Sequence, residues 1–360
     1  MGQNAPHFKL ELLPPPREKV ETIEILRQTT KSTAALAELK GIAKAIPNQA
    51  ILINAIVLQE AKDSSEIENI ITTQDELYKA LTANKSPRSA EIKEVVNYRK
   101  ALFLGFNIAK KQGFIRVDDI ISIQQELVDN TAGIRSMPGT FLKNEKTGEI
   151  VYTPPQEKAE ILDLLTNFID HYNLIENDLS PLINLAILHY QFESIHPFYD
   201  GNGRTGRILN ILYLILNDLI DVPILYLSSY IIEKKPEYYR LLNETNHNGK
   251  WEDWIMFMLK AVESTSKDTI LRITNIMNQL DKTIIQVQKR SPKIYRKELV
   301  ELLFEQPYSK IDFVVNRLNV ERKAASRYLR ELEDIGILES QKVGRETLYI
   351  NKELIKILKQ

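Results

Sequence analysis

From about residue 20 the chain places apolar residues at helical intervals. Ile23, Leu26, Ala34-Ala35, Leu39 and Ile42 recur three and four apart, which predicts one apolar helix face. Pro47 suits the first turn of a second helix, continued by Ile51, Ala55, Leu58 and Ala61. A polar patch, KDSSEIEN at 62–69, interrupts that rhythm. Helical runs are predicted again over 74–83, 90–111, 117–128, 159–172, 181–195, 203–217 and 236–246, then over 251–262 and about 264–289. Pro14-Pro15-Pro16 reads as an extended lead-in. One stretch differs in kind. GTFLKNEKTGEIVYTPPQ, residues 139–156, sets two short runs around a polar turn containing glycine and stops at Pro154-Pro155, a hairpin signal.

After Arg290 the pattern shortens to a helix over 292–305, a short helix over 310–318, a helix over 321–335 and two strands around Val343-Gly344-Arg345. Charge shifts with it. Residues 289–360 hold 16 Lys or Arg against 11 Asp or Glu, whereas the whole chain of 360 residues carries a net charge of −1. On the helix from Glu321, Ala325, Tyr328-Leu329, Leu332 and Ile335 form the apolar stripe; Arg322, Lys323, Ser326, Arg327 and Arg330 fall on the other side. This order predicts a winged helix-turn-helix, a unit that serves either DNA binding or protein interaction.

Composition excludes several classes. With 43% hydrophobic and 26% charged residues the chain is neither disordered nor membrane-like, and no apolar run reaches the length that spans a bilayer. The absence of cysteine removes disulfides, thiolate metal sites and thiol nucleophiles. The N-terminus lacks a charged-then-apolar leader, so a cytoplasmic location is expected.

The chemistry concentrates in HPFYDGNGRTGR, residues 196–207. An apolar helix precedes His196, Pro197 discourages its continuation, and Asp200-Gly201-Asn202-Gly203 supplies turn residues before a second apolar helix. The start of that helix offers unpaired N–H groups and the positive end of a dipole, an anion site. Gly201 and Gly203 allow close backbone approach. Arg204 and Arg207, three apart, reach one phosphate chain with planar forks. Asp200 repels phosphate unless a hard cation lies between them, which points to Mg²⁺. His196 takes a proton near neutral pH. A plain helix corner with a capping acid and a buried histidine accounts for a few of these residues, not for all.

HPFYDGNGRTGR resembles the full signature of the Fic family, His-x-Phe-x-Asp/Glu-Gly-Asn-Gly-Arg-x-x-Arg, with Phe198 as its inward-packing residue. The resemblance covers about residues 50–265 and implies a mainly α fold: a helical core with a β-hairpin flap, here followed by the winged helix-turn-helix. It implies transfer of AMP from ATP to a Tyr, Thr or Ser hydroxyl of a protein, the chain itself included. His196 is then the general base and Asp200 the Mg²⁺ ligand. The N–H groups of Gly201, Asn202 and Gly203 form an anion hole, and Arg204 and Arg207 hold phosphates. Ser64-Ser65-Glu66-Ile67-Glu68-Asn69 is similar to the family's inhibitory signature, in which Ser64, Glu68 and Asn69 match and Glu68 pairs with Arg207. The hairpin at 140–153 resembles the flap that docks the target segment. Tyr239 and Asn246, seven apart, match the adenine-pocket segment, and Gln191 is a further ATP contact.

The expected domains are an N-terminal helical region (1–110) with the inhibitory segment 64–69, a catalytic core (111–265), a connecting helix (266–288) and the winged helix (289–360). Expected partners are a protein target on the flap and DNA on 289–360, with no membrane; a homodimer is compatible with the sequence. Two alternatives stay open: transfer of another phosphate-containing group, and a DNA-binding regulator whose Fic domain senses nucleotide.

Overall fold

The computed structural model describes residues 10–46, 48–82, 89–143, 150–174 and 178–359. After a short turn of helix, α1 (Arg17–Val20), come α2 (Ile23–Lys44), α3 (Gln49–Ile67), α4 (Gln74–Thr82), α5 (Ala90–Gln112) and α6 (Val117–Val128). Side chains mark several starts: Thr22 accepts from the Ile25 N–H and Ser89 from the Ile92 N–H. Gly113, left-handed at φ 77°, ends α5. Strands β1 (Leu142–Lys143) and β2 (Ile150–Tyr152) pair antiparallel, as the hairpin signal predicts; the turn between them lies outside the described residues. Then follow α7 (Lys158–Tyr172), α8 (Pro181–Ile195), α9 (Asn202–Leu216), α10 (Ser228–Glu233), α11 (Lys235–Asn248) and α12 (Trp251–Arg290).

Helix α8 is predominantly apolar, and all its residues from Leu182 to Ile195 are buried. A helix of that kind belongs at the centre of a fold. Helix α9 is buried almost as completely and packs against α8, so both ends of the loop joining them are anchored in the core.

Three expectations change. In α2, Ile23 and Leu26 are exposed at 63% and 44%; the buried face is Ile25, Gln28-Thr29, Ser32, Leu36 and Leu39. Polar residues tolerate that face because Thr29 and Ser32 donate to carbonyls one turn back. The runs at 251–262 and 264–289 are one helix, α12. The apparent break at about Glu263 is followed by Thr265 and Ser266, both buried, and Thr265 Oγ1 donates to the Ala261 carbonyl. The patch at 62–69 does not end α3 early, since the helix runs to Ile67 with Asp63, Ser64 and Ser65 buried. Pro47, expected in its first turn, lies outside the described residues.

The C-terminal part comprises α13 (Lys297–Glu305), β3 (Tyr308–Ser309), α14 (Ile311–Leu318), α15 (Arg322–Asp334), β4 (Leu338–Val343), β5 (Glu346–Asn351) and α16 (Lys352–Leu358). Helix α13 starts five residues later than predicted, after a turn at Pro292. The sheet order is β3-β5-β4, both pairings antiparallel. Ala325, Tyr328, Leu329, Leu332 and Ile335 are buried as the stripe predicts. This part docks on α3 and α4: Asn48 Nδ2 donates to Glu305 at 2.6 Å, Tyr308 stacks on Tyr78 at 5.5 Å, and Gln74 Nε2 donates to the Leu358 carbonyl. One apolar cluster runs from Leu10 to Leu358.

Candidate active site

The loop between α8 and α9 is built by its own side chains. Helix α8 ends with His196 in the left-handed region, φ 49° and ψ 57°. Asn202 then clamps the loop: its Oδ1 accepts from the Phe198 N–H and its Nδ2 donates to the Phe198 carbonyl, both at 2.8 Å. Phe198 is fully buried. Gly201, at φ 80°, precedes α9, and a Cβ there would lie 2.8 Å from Val128 Cγ1. Glycine is required on both counts. Asp200 Oδ1 accepts from the Gly201 N–H at 2.6 Å. The first N–H groups of α9, from Asn202 onward, have no acceptor within the helix. Because the Asn202 amide is committed to Phe198, its main-chain N–H is what remains for an anion.

The two motif arginines are buried, each at 2% exposure. Arg204 donates to Glu94 at 2.6 Å and to Asp200 at 3.3 Å. Arg207 donates through Nε to Ser64 Oγ at 2.7 Å, and through Nη2 to the Ser64 carbonyl at 2.9 Å and Glu68 Oε1 at 2.8 Å. The Glu68 carboxylate and the Arg207 guanidinium crowd the space where a side chain on Gly203 would stand, so glycine there admits the pair. Asn69, left-handed at φ 63°, accepts from Lys235 Nζ at 3.0 Å, which joins this segment to α11.

Electrostatics divides these groups by role. Burial, and then the charge of Arg135, push His196 down to about 4, so its imidazole is neutral at pH 7. Burial pushes Glu68 upward, but the charge and hydrogen bond of Arg207 outweigh it and the carboxyl ends below its usual range. Burial opposes protonation of Arg207 as well, yet Glu68 leaves it raised. Glu193, one turn before His196, is pushed up to about 7 by burial with Arg207 opposing, and its Oε1 has no partner among the described residues.

Asp200 is exposed, its side chain at 70%, as is the neighbouring Tyr199. Among the described residues no three His, Asp or Glu side chains form a metal cluster. One exposed carboxylate beside an anion site still fits Mg²⁺, which keeps several waters and shares its shell with substrate phosphates.

His196, Asp200, Gly201, Asn202, Gly203, Arg204, Arg207, Ser64 and Glu68 therefore come together. The other three expected ATP contacts differ in exposure. Gln191, 1% exposed, donates to the Glu11 carbonyl at 2.9 Å. Asn246, 2% exposed, accepts from Tyr190 Oη at 2.7 Å and Ser194 Oγ at 3.2 Å, whereas Tyr239 is 42% exposed. Helical spacing aligned Tyr239 and Asn246, but two turns of α11 separate an open end from a covered one. The histidines outside the loop meet neutral partners: His171 pairs with Asn184, His189 with Tyr238, and His247 with the Asn243 carbonyl. His7 lies outside the described residues.

Sequence reasoning missed Glu94, Arg135 and Glu193. Glu193 left a trace, being the one acid in the apolar run of α8. Glu94 and Arg135 left none, since each is an ordinary charge in an ordinary helix or loop.

Three family models match the chain: Fic/DOC family N-terminal over residues 26–107, Fic/DOC family over 114–214, and Protein adenylyltransferase SoFic-like, C-terminal domain, over 279–354. Among curated relatives, the chain is 29% identical over 180 residues to a protein adenylyltransferase Fic of Nematostella vectensis, covering 48% of this chain and 38% of that protein. It is 27% identical over 175 residues to a protein adenylyltransferase of Caenorhabditis elegans, covering 46% and 32%. The chain thus spans about a third of the length of these relatives. Of solved structures, a Fic family protein from Desulfovibrio desulfuricans superposes with a TM-score of 0.60 at 18% identity, over 92% of this chain and 96% of the other. A Fic domain containing signaling protein from Bacteroides thetaiotaomicron gives 0.55 at 18% identity, over 68% and 95%. At that identity the likeness concerns the fold.

Proposed function

The chain belongs to the Fic/DOC family, and on that premise we propose that it is an autoinhibited protein adenylyltransferase. It transfers AMP from ATP to a hydroxyl of a protein target, itself included. The observation that carries this reading is the 2.8 Å pair between Glu68 and Arg207, lying against Gly203 at the start of α9. A buried arginine at an anion-binding helix start is a phosphate ligand already occupied by a carboxylate of the same chain.

In the transfer, the target hydroxyl oxygen attacks the α-phosphorus of ATP and His196, neutral at pH 7, accepts the hydroxyl proton. The bond from the α-phosphorus to the bridging oxygen breaks, and pyrophosphate leaves. The N–H groups of Asn202 and Gly203 face developing negative charge, while Arg204 and Arg207 hold the phosphates. Asp200 is the residue that would hold Mg²⁺, which supplies charge neutralisation on the phosphates when bound. With Glu68 in place, Arg207 cannot serve the γ-phosphate, and the carboxylate repels it. The hairpin of β1 and β2 offers an edge for the target's backbone.

The test is Glu68→Gly. Purified Glu68→Gly chain with labelled Mg-ATP should retain about 10- to 100-fold more label after denaturation than wild type, a range set by 1.4 to 2.7 kcal/mol of lost phosphate binding. Intact mass should show AMP rather than phosphate. Equal labelling of the two chains, on themselves and on a lysate, would remove autoinhibition.

A second reading concerns the C-terminal part, proposed as a winged helix that binds duplex DNA. It is favoured by Arg322, Lys323, Arg327 and Arg330, all exposed along α15 and lining a groove of about 710 Å³.

A further inference from the structure

Arg135 stands outside the motif and 61 residues before His196, yet its side chain is wholly buried against the catalytic loop. Its Nε donates to the His196 carbonyl at 2.7 Å. Its Nη2 donates to the Ile195 carbonyl at 3.3 Å and also to the Pro155 carbonyl. Its main-chain N–H donates to Pro197, and the preceding Ile134 forms a β-bridge with Phe198. Two of the three carbonyls held by the guanidinium close α8; the third stands three residues past β2, at the root of the hairpin. A second tie runs in parallel, from Tyr152 Oη to the Ser194 carbonyl at 2.9 Å.

A helix end leaves carbonyls without partners and carries partial negative charge, so a guanidinium suits it in both respects. Only a planar fork reaches carbonyls on two separate segments together. His196 is also a residue with a Cβ in the left-handed region, a conformation that persists where surroundings impose it.

We propose that Arg135 is a positioning residue for adenylyl transfer, holding the base and the target-docking hairpin in one fixed relation. A target segment added to the hairpin edge presents its hydroxyl at a place set by β1 and β2. The imidazole that must take the proton is placed by the end of α8. Arg135 joins those two frames through a single planar group. Its charge also disfavours the protonated imidazole, in the same direction as burial. An error of about 1 Å in such a relation costs on the order of 100-fold in rate.

This inference rests on the adenylyl-transfer reading, so the test uses Glu68→Gly as parent. Arg135→Met and Arg135→Lys are made in that background; the readouts are Mg-ATP affinity and stoichiometry by calorimetry, and the automodification rate at saturating ATP. Arg135→Met should lower the rate per bound ATP about 100-fold while ATP affinity changes less than about threefold. Arg135→Lys, keeping the charge but not the fork, should recover part and remain about tenfold slow. A merely structural role would instead lower the fraction of chain that binds ATP and leave the rate per bound ATP alone. Should Arg135→Met fail to fold, Arg135→Lys decides: a rate within twofold of the parent overturns the assignment. A parent without label sinks both readings, whereas equal labelling of parent and Arg135→Met sinks this one alone.

Discussion

Arginines gather at two helix starts, at the head of α9 and along α15, and they are held in opposite ways. Arg204 and Arg207 are buried and bonded to acids on other helices, Glu94 on α5 and Glu68 at the end of α3. Arg322 and Arg327 are exposed; the first pairs with Asp312 and the second lies over the neighbouring Tyr328 ring at 5.5 Å. A buried arginine has one geometry and one set of partners, and removing a partner leaves a charge unpaired in a poor dielectric. An exposed arginine contributes mainly through the summed field and is screened by salt. The loop should therefore respond to single changes sharply, and α15 weakly and additively.

The sharpest break of that comparison is His196→Ala in the Glu68→Gly background. Removing the proposed base should lower labelling by about 10²- to 10⁴-fold and return it to background, with Mg-ATP binding within threefold of the parent by calorimetry. Undiminished labelling in a folded His196→Ala chain would exclude His196 from the proton transfer. Asp200→Ala comes next. It should weaken ATP binding about tenfold in Mg²⁺ and much less in EDTA, since in the proposed reading the exposed carboxylate serves ATP by holding the cation. An equal loss with and without Mg²⁺ would mean that Asp200 acts through Arg204.

What the sequence disclosed of this contrast depended on how local each signal is. The loop 196–207 is legible because its partners are neighbours: Asn202 clamps Phe198, Asp200 meets Gly201, and the glycine positions are dictated by backbone angle or by contact. The pair of Glu68 with Arg207 crosses 139 positions, and only the family signature joined the two residues. Glu94 and Arg135 have no such signature, so nothing in the chain told them from ordinary surface charges. The fold was readable where helix faces were apolar, and misread where buried polar side chains bond their own helix, as at Ser32 in α2 and Thr265 in α12. Tyr239 and Asn246 show the limit of periodicity: it gives the face of a helix, not which end of that face is covered.

Glu193 sharpens the comparison from the stability side. Its folded-state value, pushed up to about 7 by burial, lies above its unfolded value of about 4.5. A raised value means the folded chain binds more protons, so this contribution is complete below about pH 4.5 and is lost as pH rises through about 7. Glu193→Gln stays neutral throughout. Relative to that variant, wild type should lose on the order of 1–3 kcal/mol between pH 4.5 and 8 in urea unfolding. Parallel curves for the two chains would show that Glu193 ionises normally.

The smallest effects are expected on α15. If its exposed arginines meet DNA phosphates, affinity of the whole chain for a random duplex should fall as salt rises, with a log–log slope of about −0.9 per phosphate neutralised. Arg322→Ala with Arg327→Ala should reduce that slope by about two and weaken binding roughly tenfold, uniformly across sequences. Asp312 offers a test in the opposite direction. Its carboxylate pairs with Arg322 at the surface, so Asp312→Asn removes a negative charge and frees a guanidinium. Binding should then strengthen by about two- to fivefold at low salt, and the gain should vanish as salt screens it. Neither change should alter labelling by Glu68→Gly, because neither residue belongs to the loop between α8 and α9. No retardation of any duplex at low salt, by wild type or by Asp312→Asn, would leave the basic helix as a surface for protein partners.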